Sequence, residues 1–303
     1  MPAFTDNFSS LMAPGLRVLF GIEYNDRATE FDKVFQVVST KRNYEDDQEL
    51  VGTGLVPTMP EGDAVSYDTI AEGYSKRYTP VSYGLGVIIT RTMYEDDLYS
   101  KMNKLTKGLA RSGRHSVEII GANVLNRAFT AAYAGGDGLE LCSLLHTTRE
   151  GGTYRNELTN PADLDITSYE QMMIDVGTQF IDNRGLQVPA TAQKLIIHPS
   201  NEWNAQRILK SAQLPDTANN DYNPGQNSMP GGYQMMHWLT DTDSWFMKTD
   251  IPNGMLWFWR RKPDFSQDND FDSDNAKYKT TYRCVPGWTD PRNIFGSPGG
   301  GSE

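Results

Sequence analysis

Cysteine and histidine are scarce in this chain, and their scarcity removes several chemistries at the outset. Two cysteines, Cys142 and Cys284, stand far apart with no CxxC spacing, so neither a disulfide framework nor a thiolate metal site is encoded, and both are expected to be unpaired core thiols. The four histidines, His115, His146, His198 and His237, are equally scattered, and none falls in HExxH or beside a cysteine pair. His198 precedes Pro199 at the end of an apolar run, a place for a polar cap rather than a catalytic base. Gly52 with Gly54, and Gly84 with Gly86, lack a third glycine opening a helix, and neither GxxxxGK[ST] nor GxSxG occurs. No segment approaches the roughly 18 consecutive apolar residues that span a bilayer, and the start MPAFTDNFSS lacks the basic and apolar regions of a signal peptide. The product is expected to stay in the cytosol, without a membrane partner, a cofactor, a metal ion or an enzymatic role.

Positive charge is also in short supply. Against 39 acidic residues stand 28 Lys and Arg, a formal charge of −11, the reverse of what a dedicated nucleic-acid binder needs. Hydrophobic residues make up 38%, so 303 residues can build a substantial core yet leave much polar surface. Large aromatics are plentiful, with six Trp and fifteen Tyr; they suit subunit interfaces and ordinary cores alike.

What is present is a long amphipathic run. From residue 93 to 131 the apolar positions Leu98, Met102, Leu105, Leu109, Val117, Ile120 and Val124 recur at spacings of three and four, interrupted only at Gly113. One helix of that length would be roughly 57 Å long; the alternative is two shorter helices broken at Gly108 or Gly113, since each interior glycine costs about 1 kcal/mol. Residues 1–33 are too irregular for a definite element and suggest an arm. Residues 34–39 are β-prone and lead into a charged stretch, Lys41, Arg42, Asn43, Tyr44, Glu45, Asp46, Asp47, Gln48 and Glu49, and then Gly52, Gly54, Pro57, Pro60 and Gly62, together expected to be a mobile tip. The chain returns through 65–70 and then alternates Thr79, Val81, Tyr83, Leu85, Val87 and Ile89 as a half-buried strand requires. Such a long hairpin is either covered by a neighbouring subunit or folded as a meander on its own core. The carboxylates Glu45, Asp46, Asp47 and Glu49 have no apolar surroundings to separate their pKa values, so salt bridges to a neighbour's Lys or Arg are expected rather than acid–base work.

Beyond turns at 135–138 and a flexible region at 151–161, a second unit is expected. Thr167 and Glu170 form a capping-box pattern ahead of Met172, Met173, Val176 and Phe180; 194–198 is a buried strand; and Ser200 is placed to cap a helix over 201–212. The polar loop 215–233, containing Asn219, Asn220, Asp221 and Tyr222, is long enough to imply a function and is expected to project. Short strands follow near 235–239, 244–248, 255–261 and 278–285, then a flexible tail, giving an α+β class. Asp268, Asp270, Asp272 and Asp274 look like a calcium loop, but counting from Asp268 puts Ser273 where glycine is required and Lys279 where the bidentate glutamate belongs. A solvated acidic loop is expected, with weak cation binding as the alternative.

Several segments, in order, resemble the major capsid proteins of tailed phages, in particular the Mu-type major head subunit family: KRNYEDDQELVGTG, AEGYSKRYTPVSYGLGVIITRTMYEDDLYSKM, DGLELCSLLHTT, LIIHPSNEWNAQRILKS, TDTDSWFMKTD, and LWFWRRKPDFSQDNDFDSDNAKYKTTYRCVPGWTDPRNIFGSPG. None is a catalytic signature; the ordered series carries the likeness from about residue 30 to 298. The resemblance implies the tailed-phage and herpesvirus capsid fold: an N-terminal arm (1–33), an extended β-hairpin loop with flanking strands (34–90), a peripheral domain with a long spine helix (91–165), an axial domain (166–255), and return strands of the peripheral domain with a tail (256–303). It also implies pentamers and hexamers in an icosahedral shell around double-stranded DNA, held without sequence-specific contacts, assembled in the host cytoplasm. Lys41, Arg42, Tyr44, Glu45, Asp46, Asp47 and Glu49 would then meet an adjacent subunit, and Asn219 to Tyr222 would lie at the capsomer centre. Too few residues precede the matched region for a scaffolding domain, so a separate scaffolding protein is expected, with a portal as further partner and room for a decoration protein. An encapsulin-like compartment loaded with protein cargo would use the same fold.

Overall fold

The computed structural model describes residues 6–26, 28–49, 51–69, 72–90, 99–213, 222–269 and 275–300. In chain order the helices are α1 (Asp6–Asn25), α2 (Phe31–Val34), α3 (Tyr99–Asn126), α4 (Ile166–Thr178) and α5 (Glu202–Lys210). The strands are β1 (Gln36–Ser39), β2 (Glu45–Gln48), β3 (Ser75–Tyr78), β4 (Val81–Ile89), β5 (His146–Thr147), β6 (Thr153–Tyr154), β7 (Ala192–Ile197), β8 (Tyr233–Met235), β9 (Trp245–Thr249), β10 (Met255–Asn269), β11 (Ala276–Trp288) and β12 (Ile294–Ser297). Among the described residues they form two four-stranded sheets, ordered β1-β10-β11-β4 and β12-β9-β7-β8, and the two-stranded ribbons β2-β3 and β5-β6. This is an α+β arrangement.

The long helix runs unbroken through Gly108 and Gly113, at 28 residues and about 42 Å. Leu109, Val117 and Leu125 are buried along it, each worth roughly 1.5–3 kcal/mol, enough to offset its interior glycines. Gly121 allows close packing, since a Cβ there would lie 3.1 Å from the Phe31 Cβ and 3.4 Å from the Trp257 ring. The expected start at 93 lies outside the described residues. The end comes earlier than 131, because Asn126 turns its amide outward along the chain, donating to Trp238 O at 3.2 Å and accepting from Thr240 N at 3.0 Å.

The expected irregular arm is instead helical over α1. Pro14 and Gly15 argue against a helix, but Leu16 and Phe20 bury one turn apart against Leu109, Phe265 and Tyr278, and Glu23 pairs with Arg111 at 2.5 Å. The same contact explains why β10 and β11 run on as a hairpin well past the short strands expected. Phe265 and Tyr278 stack at 6.0 Å beneath α1, and Pro263, which has no N–H to offer, sits where the register shifts between Arg261 and Asp264. β4 forms the outer edge of this sheet. Tyr83 stacks on Tyr282 at 5.2 Å, but Val81 and Leu85 stay exposed, so its inward face is narrower than the alternation implied.

The second sheet carries α4 and α5. Asp165, not Thr167, is the N-cap of α4, with its N–H donated to Ser168 Oγ at 3.0 Å. His198 Nδ1 accepts from Ser200 N at 3.1 Å, so the histidine caps a 3-10 turn (Pro199–Asn201) that precedes α5; Ser200 does not. The region 151–161 is packed rather than flexible. Asn156 is fully buried, accepting from Ser143 N and donating to the carbonyls of Leu141, Pro291 and Ile294. The expected tail is also ordered where it is described, as β12 is buried and Gly300 N donates to Asp163 Oδ1 at 2.6 Å. Cys142 and Cys284 are both buried and unbridged.

Candidate functional site

The charged stretch expected as a loose tip is partly a strand. β2 pairs antiparallel with β3, Glu45 opposite Tyr78 and Gln48 opposite Ser75, and 49–74 is the excursion between them. Its legs approach closely: Glu49 N donates to Tyr74 O at 2.8 Å, and a Cβ on Gly73 would sit 2.6 Å from Glu49 O.

Each carboxylate of this stretch has a partner in its own chain. Asp46 takes two bonds from Arg77, at 2.7 and 2.8 Å, which hold its carboxyl below the usual range, and the Arg77 guanidinium lies 4.3 Å from the Tyr44 ring centroid. Glu45 accepts from Thr40 and, at 3.3 Å, from Arg42. Asp47 accepts from Thr289 Oγ1 at 2.6 Å, which leaves Tyr78 OH to donate to that hydroxyl at 2.7 Å. Glu49 is buried, against the expectation of a surface group, and meets Arg292, which also binds Asp290 at 2.8 Å and the Ile181 carbonyl at 2.9 Å. Burial raises the Glu49 carboxyl and Arg292 opposes the rise. Lys41, Arg42, Asn43, Tyr44, Asp46 and Gln48 of this stretch are exposed.

The excursion leans on a turn of the second unit. Arg184 reaches Asp68 Oδ2 at 2.6 Å and the Thr69 carbonyl, while Gly54 N donates to the same carboxylate oxygen at 2.8 Å. The Arg184 hydrogen bond is the main cause that holds Asp68 below the usual carboxylate range. Beneath the legs is a cleft of about 270 Å³ lined by Val51, Glu72, Arg149, Glu150 and Asn183. Nearly all of 51–69 is exposed, and its large apolar side chains are exposed with the rest: Leu55 is 80% exposed, Val56 94%, Met59 60%, Val65 63% and Tyr67 95%. No sequence signal separated these from the polar residues around them, because 51–69 follows neither a helical nor a strand period.

Of the other candidates, Asn219, Asn220 and Asp221 lie outside the described residues, as does 270–274 of the acidic run. Tyr222 is exposed and bridges to Gln213; the loop beyond it is anchored by buried Asn223, which donates to Ile208 O at 2.8 Å and Ser211 O at 2.9 Å. Among the described residues no group of His, Cys, Asp and Glu is arranged to hold a metal ion, and no helix is long and apolar enough to cross a membrane.

The fold is shared with solved shell structures. The procapsid of bacteriophage JBD30 aligns over 97% of this chain and 76% of its own, at 14% identity and a TM-score of 0.53. A virus-like particle from Pyrococcus furiosus aligns over 94% and 98%, at 8% identity and a TM-score of 0.54. The capsid of a native GTA particle aligns over 88% and 89%, at 13% identity and a TM-score of 0.52. No curated protein matches the sequence. The family model described as phage capsid protein matches residues 73–296, well over half the chain, and the protein belongs to that family, a structural subunit rather than an enzyme.

Proposed function

We propose that copies of this chain assemble into pentamers and hexamers of an icosahedral shell enclosing the double-stranded DNA of a tailed phage. The observation that carries this is the excursion 51–69, which holds five large apolar side chains in water although its legs are anchored by Arg184 and Arg292. Burying a side chain of this size contributes roughly 1.5–3 kcal/mol, and in this geometry the gain comes from a neighbouring subunit. In that arrangement 1–33 is the arm, 34–90 the extended loop, 91–165 with 256–303 the peripheral domain around α3, and 166–255 the axial domain. Repeated contacts of loop against adjacent body are head-to-tail and close by symmetry. Lys41, Arg42 and Tyr44 complete the contact face beside the loop, and 219–222 lines the capsomer centre. The charge of −11 suits a wall that DNA passes without sticking. A separate scaffolding protein and a portal complete the particle, which leaves room for a decoration protein and is assembled in the host cytoplasm.

The test is electron microscopy of the chain expressed with and without its neighbouring scaffold gene, together with analysis of particle contents. Closed shells with nuclease-protected DNA on co-expression with the packaging genes are expected. Shells filled with a protein cargo would assign a compartment instead, and a monodisperse small oligomer under all conditions would refute the shell.

A further inference from the structure

The open edge of the second sheet carries a cationic groove. β8 is its outermost strand, parallel to β7. Leu195 N donates to Gly232 O at 3.0 Å and Met236 N to Ile197 O at 2.9 Å, so even-numbered positions face β7 while the backbone groups of Tyr233 and Met235 point away from the sheet. Gln234 Nε2 takes up the Met235 carbonyl at 2.7 Å. That leaves Tyr233 N–H, Tyr233 C=O and Met235 N–H aimed into a groove of about 470 Å³ lined by Lys33, Lys210 and residues 231–235.

The charged residues that line the groove are Lys33 and Lys210. Lys210 Nζ lies 5.3 Å from the Tyr233 ring centroid. Lys194 runs beneath Gly231, where a Cβ would come within 3.1 Å of its Cε, and ends on the Lys33 carbonyl at 3.4 Å. Lys248 stands opposite Lys194 in the register and reaches the Val34 carbonyl. Three carboxylates stand nearby with partners of their own: Glu30 meets His237 Nδ1 at 2.6 Å and His237 N at 3.0 Å, Asp32 meets Thr29, and Glu202 accepts from Gln206 at 3.1 Å and from the groove residue Tyr233 at 3.5 Å. Lys33 and Lys210 therefore present two exposed cations to this groove in a chain whose net charge is −11, while Lys194 and Lys248 end on backbone carbonyls.

We propose that this edge receives an extended acidic segment of another protein as an added strand, held by the backbone at 233–235 and by the ammonium groups of Lys33 and Lys210. An unpaired strand edge is a template for another chain, and alternate side chains of an added strand lie on one face, where acidic ones would meet the lysines. A nucleic-acid phosphate backbone would satisfy the lysines but not the alternating donor and acceptor of Tyr233. The proposal does not depend on shell assembly and is tested on unassembled chain.

The probe is a fluorescein-labelled eight-residue peptide of alternating glutamate and threonine, followed by anisotropy against the full-length protein. Saturable binding is expected, weakened at least about tenfold by N-methylation of alternate peptide amides, by replacing glutamate with glutamine, and by the pair Lys33→Glu with Lys210→Glu. Both ammonium groups are exposed, so the double variant should keep the parent circular dichroism spectrum. Absence of binding, indifference to N-methylation, or indifference to the double substitution overturns the proposal. Displacement of the peptide by a short DNA duplex at equal charge also overturns it, reassigning the groove to phosphate.

Discussion

Glu49, on the first leg of the 49–74 excursion, is buried against Arg292, which lies 243 residues further along the chain. The pair fixes the base of the excursion to the turn before β12, and Asp290 and the Ile181 carbonyl complete the guanidinium's partners. Removing the cation leaves two buried carboxylates facing each other, whereas removing Glu49 leaves Arg292 with Asp290. Arg292→Ala is therefore expected to cost about 3–5 kcal/mol and Glu49→Gln much less. Urea unfolding of the unassembled chain gives the difference, and faster proteolytic cutting within 49–74 in Arg292→Ala locates it.

Glu157 gives the fold a pH dependence. Burial pushes its carboxyl from the ordinary 4.5 up to about 7, neighbouring Glu140 adds to the rise and His146 opposes it. A carboxyl whose folded pKa is raised binds its proton more tightly in the folded chain. Its stabilising contribution is complete below about pH 4.5 and is lost as pH rises through 7. With partial exposure screening the effect, Glu157→Gln should be more stable than the parent by about 1 kcal/mol at pH 8 and equal to it near pH 4. Parallel pH slopes of the two melting curves would show that Glu157 does not titrate there.

Local pattern made the helices and several strands legible, and distance along the chain hid the rest. The stripe through Leu109 and Val117 announced α3, and the apolar run at 194–198 announced β7. Pro14 and Gly15 concealed α1, and with it part of the cover over β10 and β11, since Leu16 and Phe20 join Ile89 and Leu109 against Phe265 and Tyr278 only once they are helical. Asn156 looked like a flexible loop residue because its acceptors include Pro291 and Ile294, far along the sequence. The internal pairing of the candidate contact stretch was not legible. The acidic run marks the right hairpin, yet the partners of Asp46, Asp47 and Glu49 at Arg77, Thr289 and Arg292 become visible only in the folded chain.

Those internal partners change what charge reversal in β2 tests. Asp46→Arg should loosen the hairpin of the unassembled chain, because it sets two guanidinium groups side by side, and Asp46→Arg with Arg77→Asp should restore it. Amide hydrogen exchange across β2 and β3 reads the outcome. If Asp46 served only a neighbouring subunit, the single reversal would leave exchange unchanged and the swap would not rescue particle formation.

The exposed apolar side chains of the excursion separate folding from assembly. Leu55, Val56 and Tyr67 touch water in the isolated chain, so Leu55→Ser, Val56→Ser and Tyr67→Ser should each shift its unfolding free energy by no more than about 0.5 kcal/mol. With the excursion lying on a neighbouring subunit as proposed, each removes apolar area buried there, a loss of roughly 1–2 kcal/mol per contact that is repeated at every such contact of a closed shell. Particle yield should therefore fall steeply, with all three together abolishing shells while the chain elutes as a folded smaller species in gel filtration. Normal particle yield from the triple variant would place the subunit contact elsewhere, on the exposed edge of β4 where Val81 and Leu85 stand.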